Sequence, residues 1–144
     1  MKKRLIGGLL ALILLFGAAL PALARQQVVT LSNASDLLEL AEKCRLDTYS
    51  QGLTVRLSQN IDLTGTDFAG IPIFCGRFEG DGHTISGFRV EHSGSGVGFF
   101  RYLTDTAVVD GLHLEGVLTP QGSKKQVGGI AGENAGKIVN CSFG

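Results

Sequence analysis

The chain has 144 residues with thirteen basic and thirteen acidic side chains, a balance that excludes electrostatic steering towards nucleic acid or an anionic membrane. Glycine is the outlier at 21 residues, about twice the usual ~7 %. It follows no collagen period and is interleaved with Val, Ile, Leu and Phe, which excludes a disordered polymer and predicts one small domain of short strands and tight turns.

The N-terminus reads as a secretory signal peptide. Lys2, Lys3 and Arg4 precede an apolar run from Leu5 to Leu20, Pro21 breaks it, and Ala22-Leu23-Ala24 supplies a small-x-small cleavage site. The run is shorter than the ~20 residues of a membrane span, so cleavage after Ala24 is expected rather than anchoring. No Cys follows the site to carry a lipid. Removal of residues 1–24 leaves ten basic residues against thirteen acidic ones, a net charge of about −3. The expected location is extracellular or at the cell surface, with no membrane association after cleavage.

Residues 25–52 are expected to form a strand and a capping helix. Gln27–Leu31 (QVVTL) is β-rich. Asn33 fits an N-cap, with Asp36 at the N3 position. Leu37, Leu40, Ala41 and Cys44 then recur at helical spacing, which predicts a helix from about Ala34 to Arg45. Gly52 ends the linker.

From Leu53 the period becomes two. Leu53, Val55 and Leu57 alternate with Thr54 and Arg56, and Ile61 and Leu63 flank Asp62 before Gly65 turns the chain. Gly70–Phe74, the turn-rich Phe78–His83, and Ile85, Phe88 and Val90 follow.

Residues 127–144 (VGGIAGENAGKIVNCSFG) repeat residues 97–116. Val97-Gly98 aligns with Val127-Gly128, and Val109, Leu112 and Leu114 align with Ile138, Cys141 and Phe143. A Φ-x-(G/N)-Φ-x-Φ pattern begins at Ile85, Val109 and Ile138, with spacings of 24 and 29. Its third position suits a bend or a left-handed residue, and its last two apolar positions share one strand face. Short strands with one coil per 20–30 residues predict an all-β parallel β-solenoid (β-helix) over residues 53–144. Such a stack needs capped ends, and the amphipathic helix is placed to cover the N-terminal one. No comparable element follows Phe143, so the C-terminal end is expected to be uncapped, with either further chain or a partner covering it.

These residues resemble a known family. VGGIAGENAGKIVNCSFG is similar to the GLUG motif of bacterial exported and surface proteins, which has a V-G-G-Φ-x-G start, a polar and Gly turn, then I-x-N-C and a final Gly. FEGDGHTISGFRV and VGFFRYL resemble segments that precede such repeats, and the helix followed by LTVRLSQNIDLTG resembles their N-terminal cap. Phe99, Phe100 and Arg101 depart from the motif, standing where small residues and Gly are usual. The resemblance spans about residues 28–144. It implies a right-handed parallel β-helix in a secreted or surface protein, with no established chemistry, cofactor or catalytic residues.

Candidate chemistry is sparse. Asp81 and His83 in Gly80-Asp81-Gly82-His83-Thr84 could serve as metal ligands or an acid/base pair, but D-G is first a turn signal. Asp62, Asp67, Asp81, Asp105 and Asp110 invite comparison with β-helix polysaccharide lyases, which cluster Asp around Ca²⁺. Here they stand singly beside turns, and solvated turn residues are expected. Gly128–Glu133 does not match the G-G-x-G-x-D calcium repeat. Ala135-Gly136-Lys137-Ile138 is not a P-loop, because Ala131 replaces the first Gly and Ile138 the Ser/Thr. Gly94-Ser95-Gly96-Val97-Gly98 and Lys124-Lys125 read as turns, and His92 and His113 as exposed. Asn33-Ala34-Ser35 and Asn140-Cys141-Ser142 fit N-x-S, each at a position with a structural role. The absence of Trp and the presence of only two Tyr lower the expectation of a sugar platform. Cys44, Cys75 and Cys141 are expected to be small core residues. Export permits a disulfide such as Cys44 with Cys75, and the odd count leaves at least one thiol free.

No catalytic, cofactor-binding or metal residue is assigned. The expected function is a non-enzymatic secreted or surface β-helix module with a structural, adhesive or binding role, its partners being further coils, a surface protein or a glycan. The alternative is a fragment of a carbohydrate-active β-helix enzyme, which would require three carboxylates converging on one point.

Overall fold

Period-two patterning puts Leu53, Val55 and Leu57 on one strand face, and all three are buried. The computed structural model describes residues 27–92, 95–122 and 126–144, without the side chain of His92. The leader expected over residues 1–24, the Lys124-Lys125 turn and the exposure of the His92 side chain lie outside the described residues.

The strands are parallel and stack as a β-solenoid of about four turns. The first layer is β1 (Gln27–Leu31) followed by helix α1 (Ala34–Lys43). The first coil carries β2 (Leu53–Leu57), β3 (Ile61–Asp62) and β4 (Ile71–Phe74). The second carries β5 (Arg77–Glu79), β6 (Thr84–His92), β7 (Gly96–Val97) and β8 (Phe100–Leu103). The third carries β9 (Val108–Asp110), β10 (His113–Pro120), β11 (Gln126–Val127) and β12 (Ala131–Asn134), and the last turn begins with β13 (Lys137–Val139) and β14 (Ser142–Phe143).

Register is held by inward ladders. Val29, Val55, Phe78, Val109 and Ile138 occupy one position in successive rungs. Ile61, Ile85, Leu114 and Phe143 occupy another. The expected alignments of Val97 with Val127, Val109 with Ile138 and Leu114 with Phe143 are all observed. Between the ladders lies a phenylalanine stack in which Phe100 meets Phe99, Phe74 and Phe78 at centroid distances of 5.1, 5.5 and 5.4 Å.

The three-fold Φ-x-(G/N)-Φ-x-Φ pattern needs correction. Its copies at Val109 and Ile138 are equivalent, but Val109 pairs with Phe78, not with Ile85. The copy at Ile85 shares their composition and plays a different part. Gly111 and Asn140 turn the corner before a strand, whereas Gly87 sits within β6, at a register shift opposite Glu115 and Gly116. All three have the left-handed backbone expected, with φ of 65°, 53° and 74°.

Asn33 caps α1 as expected, its side chain accepting from the Asp36 N–H at 2.9 Å. The helix ends at Lys43 with Cys44 as C-cap, slightly short of Arg45. Leu37, Leu40 and Cys44 are buried in the solenoid core, so the helix covers this end of the stack. At the other end β11, β12, β13 and β14 are the outermost strands of their sheets, and Ile130, Ile138 and Cys141 are only half-buried. No helix among the described residues is long and apolar enough to cross a membrane.

Candidate functional site

Outward residues of the β1-β2-β5-β9-β13 sheet are brought into line by the same register that aligns the core. Arg56, Glu79 and Asp110 stand one above another, and Arg77 sits beside them at the Thr54–Val108 level. The Arg56 guanidinium donates through two nitrogens to one Glu79 oxygen, at 2.9 and 2.7 Å. Arg77 donates to the other Glu79 oxygen at 2.8 Å and reaches Asp110 at 3.4 Å. Asn140 donates from its amide to the remaining Asp110 oxygen at 3.3 Å. Hydrogen bonds from Arg77, then from Arg56, hold the Glu79 carboxyl below the usual range.

Arg77, Glu79, Asp81 and Asp110 border a depression of about 410 Å³. Two of the five aspartates singled out in the sequence, Asp81 and Asp110, line it together. Asp81 is part of a turn: its φ is 56°, Gly82 follows at 78°, and the His83 N–H donates to Gly80 O at 2.9 Å. Two successive left-handed residues closed by that bond make a type I′ turn, the conformation an Asp-Gly pair favours. The Gly82 N–H also donates to Gly111 O, tying the turn to the next coil.

The other aspartates are dispersed. Asp62 accepts from the Thr64 hydroxyl at 2.6 Å and the Thr64 N–H at 2.9 Å, and these two bonds lower its carboxyl. Asp67 lies in a separate depression beside α1, and Asp105 lines a third, of about 660 Å³, with Asp47, Thr104 and Thr106. His113 is half-buried, its Nδ1 2.7 Å from Ser142 Oγ in the next rung. Among the described residues no group of three or more His, Cys, Asp or Glu is placed to hold a metal ion.

The cysteines are free thiols. Cys44 and Cys75 are buried and share Ser50 as neighbour. The Cys75 N–H donates to Ser50 Oγ at 3.0 Å, and Ser50 Oγ lies 3.1 Å from Cys75 Sγ. Burial, then the neighbouring Cys75, pushes the Cys44 thiol up to about 12, against a smaller pull from Ser50.

Arg56, Arg77 and Glu79 are the side chains that motif reading missed. The signal was present once Val55, Phe78 and Val109 are set in register, because Arg56, Glu79 and Asp110 each follow one of them. Comparison with protein-family models, with curated proteins and with solved structures returns no match.

Proposed function

We propose that this chain is a secreted or cell-surface β-solenoid module with a structural or adhesive role, one part of a longer stacked assembly. The observation that carries this reading is the ladder Arg56–Glu79–Arg77–Asp110–Asn140. Its carboxylates are engaged in joining one coil to the next, so the charges nearest to a catalytic cluster serve register. The half-buried Ile130, Ile138 and Cys141 beside the outermost strand edges support the stacked assembly, since a further rung would continue the inward row. The likeness to GLUG-motif proteins and the leader-like N-terminus agree with export.

The test has two arms. An epitope-tagged chain expressed in its own host should be reached by an impermeant antibody on intact cells, or be recovered from the medium. Purified protein incubated with polysaccharides should release no new reducing or unsaturated ends. Retention inside the cell would overturn the surface reading, and turnover would move the assignment to a carbohydrate-active enzyme.

A further inference from the structure

Two of the three cysteines meet at one hydroxyl. Ser50 is the only polar or charged residue that is buried among the described residues. Its Oγ accepts from the Cys75 N–H at 3.0 Å and lies 3.1 Å from Cys75 Sγ. The same hydroxyl hydrogen-bonds the Cys44 thiol, and Cys44 is close enough to Cys75 to feel its charge. Cys44 is fully buried, and Cys75 is 7 % exposed.

The backbone fixes both thiols at this point. Cys44 caps α1, and its N–H donates to Leu40 O at 2.9 Å. Cys75 stands at the corner between β4 and β5, with its Sγ 3.5 Å from Asp47 O in the segment that leaves the helix. A Cβ on the next residue, Gly76, would stand 2.6 Å from Ser50 O and press on Leu53 O, so the corner packs against this segment backbone to backbone. The helix end and the first coil corner are thus held together, although the cysteines are 31 positions apart.

A cysteine pair serves to bind a metal, to attack a substrate or to cross-link. Among the described residues no third His, Cys, Asp or Glu joins this pair to complete a metal site. A nucleophile needs a stabilised thiolate, whereas burial holds the Cys44 thiol up near 12. Cross-linking needs two neighbouring sulfurs on a settled backbone.

We propose that oxidation joins Cys44 to Cys75 in a disulfide that locks the capping helix onto the first coil, while Cys141 stays free. The oxidant is a small disulfide such as oxidised glutathione. One protein thiolate attacks it, forming a mixed disulfide and releasing one glutathione thiolate. The second protein thiolate attacks the protein sulfur of that mixed disulfide and releases the other glutathione. The two cysteines are oxidised, the glutathione disulfide is reduced to two thiols, and these take up the two protons that the cysteines lose. The folded thiols are shielded, so the exchange takes place as the chain folds or opens locally. Ser50 Oγ keeps the Cys75 N–H as its partner when Cys75 Sγ turns towards Cys44.

The test incubates the reduced full chain with mixed oxidised and reduced glutathione, both folded and during refolding from denaturant. The protein should lose the mass of two hydrogens, and its three thiols titrated in denaturant should fall to one. A non-reducing peptide map should link Cys44 to Cys75. The melting temperature should rise by about 10 °C, the effect of closing a loop of this length. Cys141→Ala should still form the bond, and Cys75→Ala should show no such rise on oxidation. Three thiols remaining under both conditions, glutathione adducts with no internal link, or a link through Cys141 would each overturn the proposal in the wild-type protein alone. The result is separate from export: a pair that fails to form leaves the surface reading standing, and retention inside the cell leaves the pair standing.

Discussion

Gly98 and Gly132 meet backbone to backbone across two successive coils. A Cβ built on Gly98 would stand 2.6 Å from the Gly132 nitrogen, and one on Gly132 would stand 2.6 Å from the Val97 nitrogen. The coil-to-coil spacing at this corner therefore depends on two missing side chains. Gly98→Ala should cost about 3 kcal/mol, the upper part of the overpacking range, because backbone rather than a side chain must give way. Gly129→Ala should cost less, about 1 kcal/mol, since the atoms it meets belong to the Phe143 ring, which is 39 % exposed and can swing outwards. Urea midpoints of the two variants check the order.

The phenylalanine stack should dominate stability. Phe100 is fully buried against Phe74, Phe78 and Phe99, so Phe100→Ala should cost about 3–5 kcal/mol through lost burial and a cavity. Phe143→Ala, at an exposed rung, should fall well below that range. Chemical denaturation of both variants is the measurement.

The Glu79 ladder should show itself in pH dependence. The folded carboxyl lies below its ordinary value of 4.5 because Arg77 and Arg56 donate to it. Its contribution is therefore present above that value and is lost as pH falls through the folded pKa. Glu79→Gln should cost about 0.2–1 kcal/mol at neutral pH, the usual worth of a solvent-screened pair. The difference from wild type should shrink in strong acid and in high salt. Stability curves from pH 7 to pH 2 would reveal a constant difference if the ladder contributed nothing.

Cys44 should make the protein sensitive to alkali. The unfolded thiol ionises near 9.0 and the folded one near 12. Between those values the folded chain holds the extra proton, so stability falls as pH rises, by up to about 1.4 kcal/mol per pH unit. Cys44→Ala should flatten that slope. In native protein a thiol reagent should modify Cys141 first, because Cys44 and Cys75 are buried, and all three should react in denaturant.

Asp81 and Asn140 separate a turn role from a chemical one. Both have left-handed backbones, with φ of 56° and 53°. Asp81→Gly and Asn140→Gly should leave stability nearly unchanged, whereas the alanine variants should each lose about 1–2 kcal/mol. Loss of a binding or catalytic activity in Asp81→Gly with stability retained would assign Asp81 a chemical function instead.

Much of the architecture could be read from local pattern. Asn33 and the Leu37–Leu40–Cys44 stripe identify the cap, and the repeat by itself aligns Val109 with Ile138 and Leu114 with Phe143. The misreading at Ile85 has a physical cause. A left-handed glycine inside a strand and one at a coil corner leave the same Φ-x-G-Φ-x-Φ trace, and only pairing tells them apart. The charge ladder was hidden for a related reason. Arg56, Glu79 and Asp110 lie far apart in the chain and become neighbours only when three coils are set in register.

Gly87 makes the parity of β6 a matter of chain length. Before it Ile85 points inwards, and after it Phe88 and Val90 do, so one unpaired residue converts odd inward positions into even ones. The partner strand β10 has no such insertion and keeps Leu114, Gly116 and Leu118 opposite Ile85, Phe88 and Val90. Excising Gly87 would remove the bulge and leave Ile85, Phe88 and Val90 inward in plain alternation, one for one with β10. Substitution there would force a side chain onto a left-handed backbone and against Thr64 and Asp62, whereas deletion would keep the half-strand after it in phase. At this bulge a change of identity is thus more dangerous than the loss of the residue, because the core counts only the positions on either side of it.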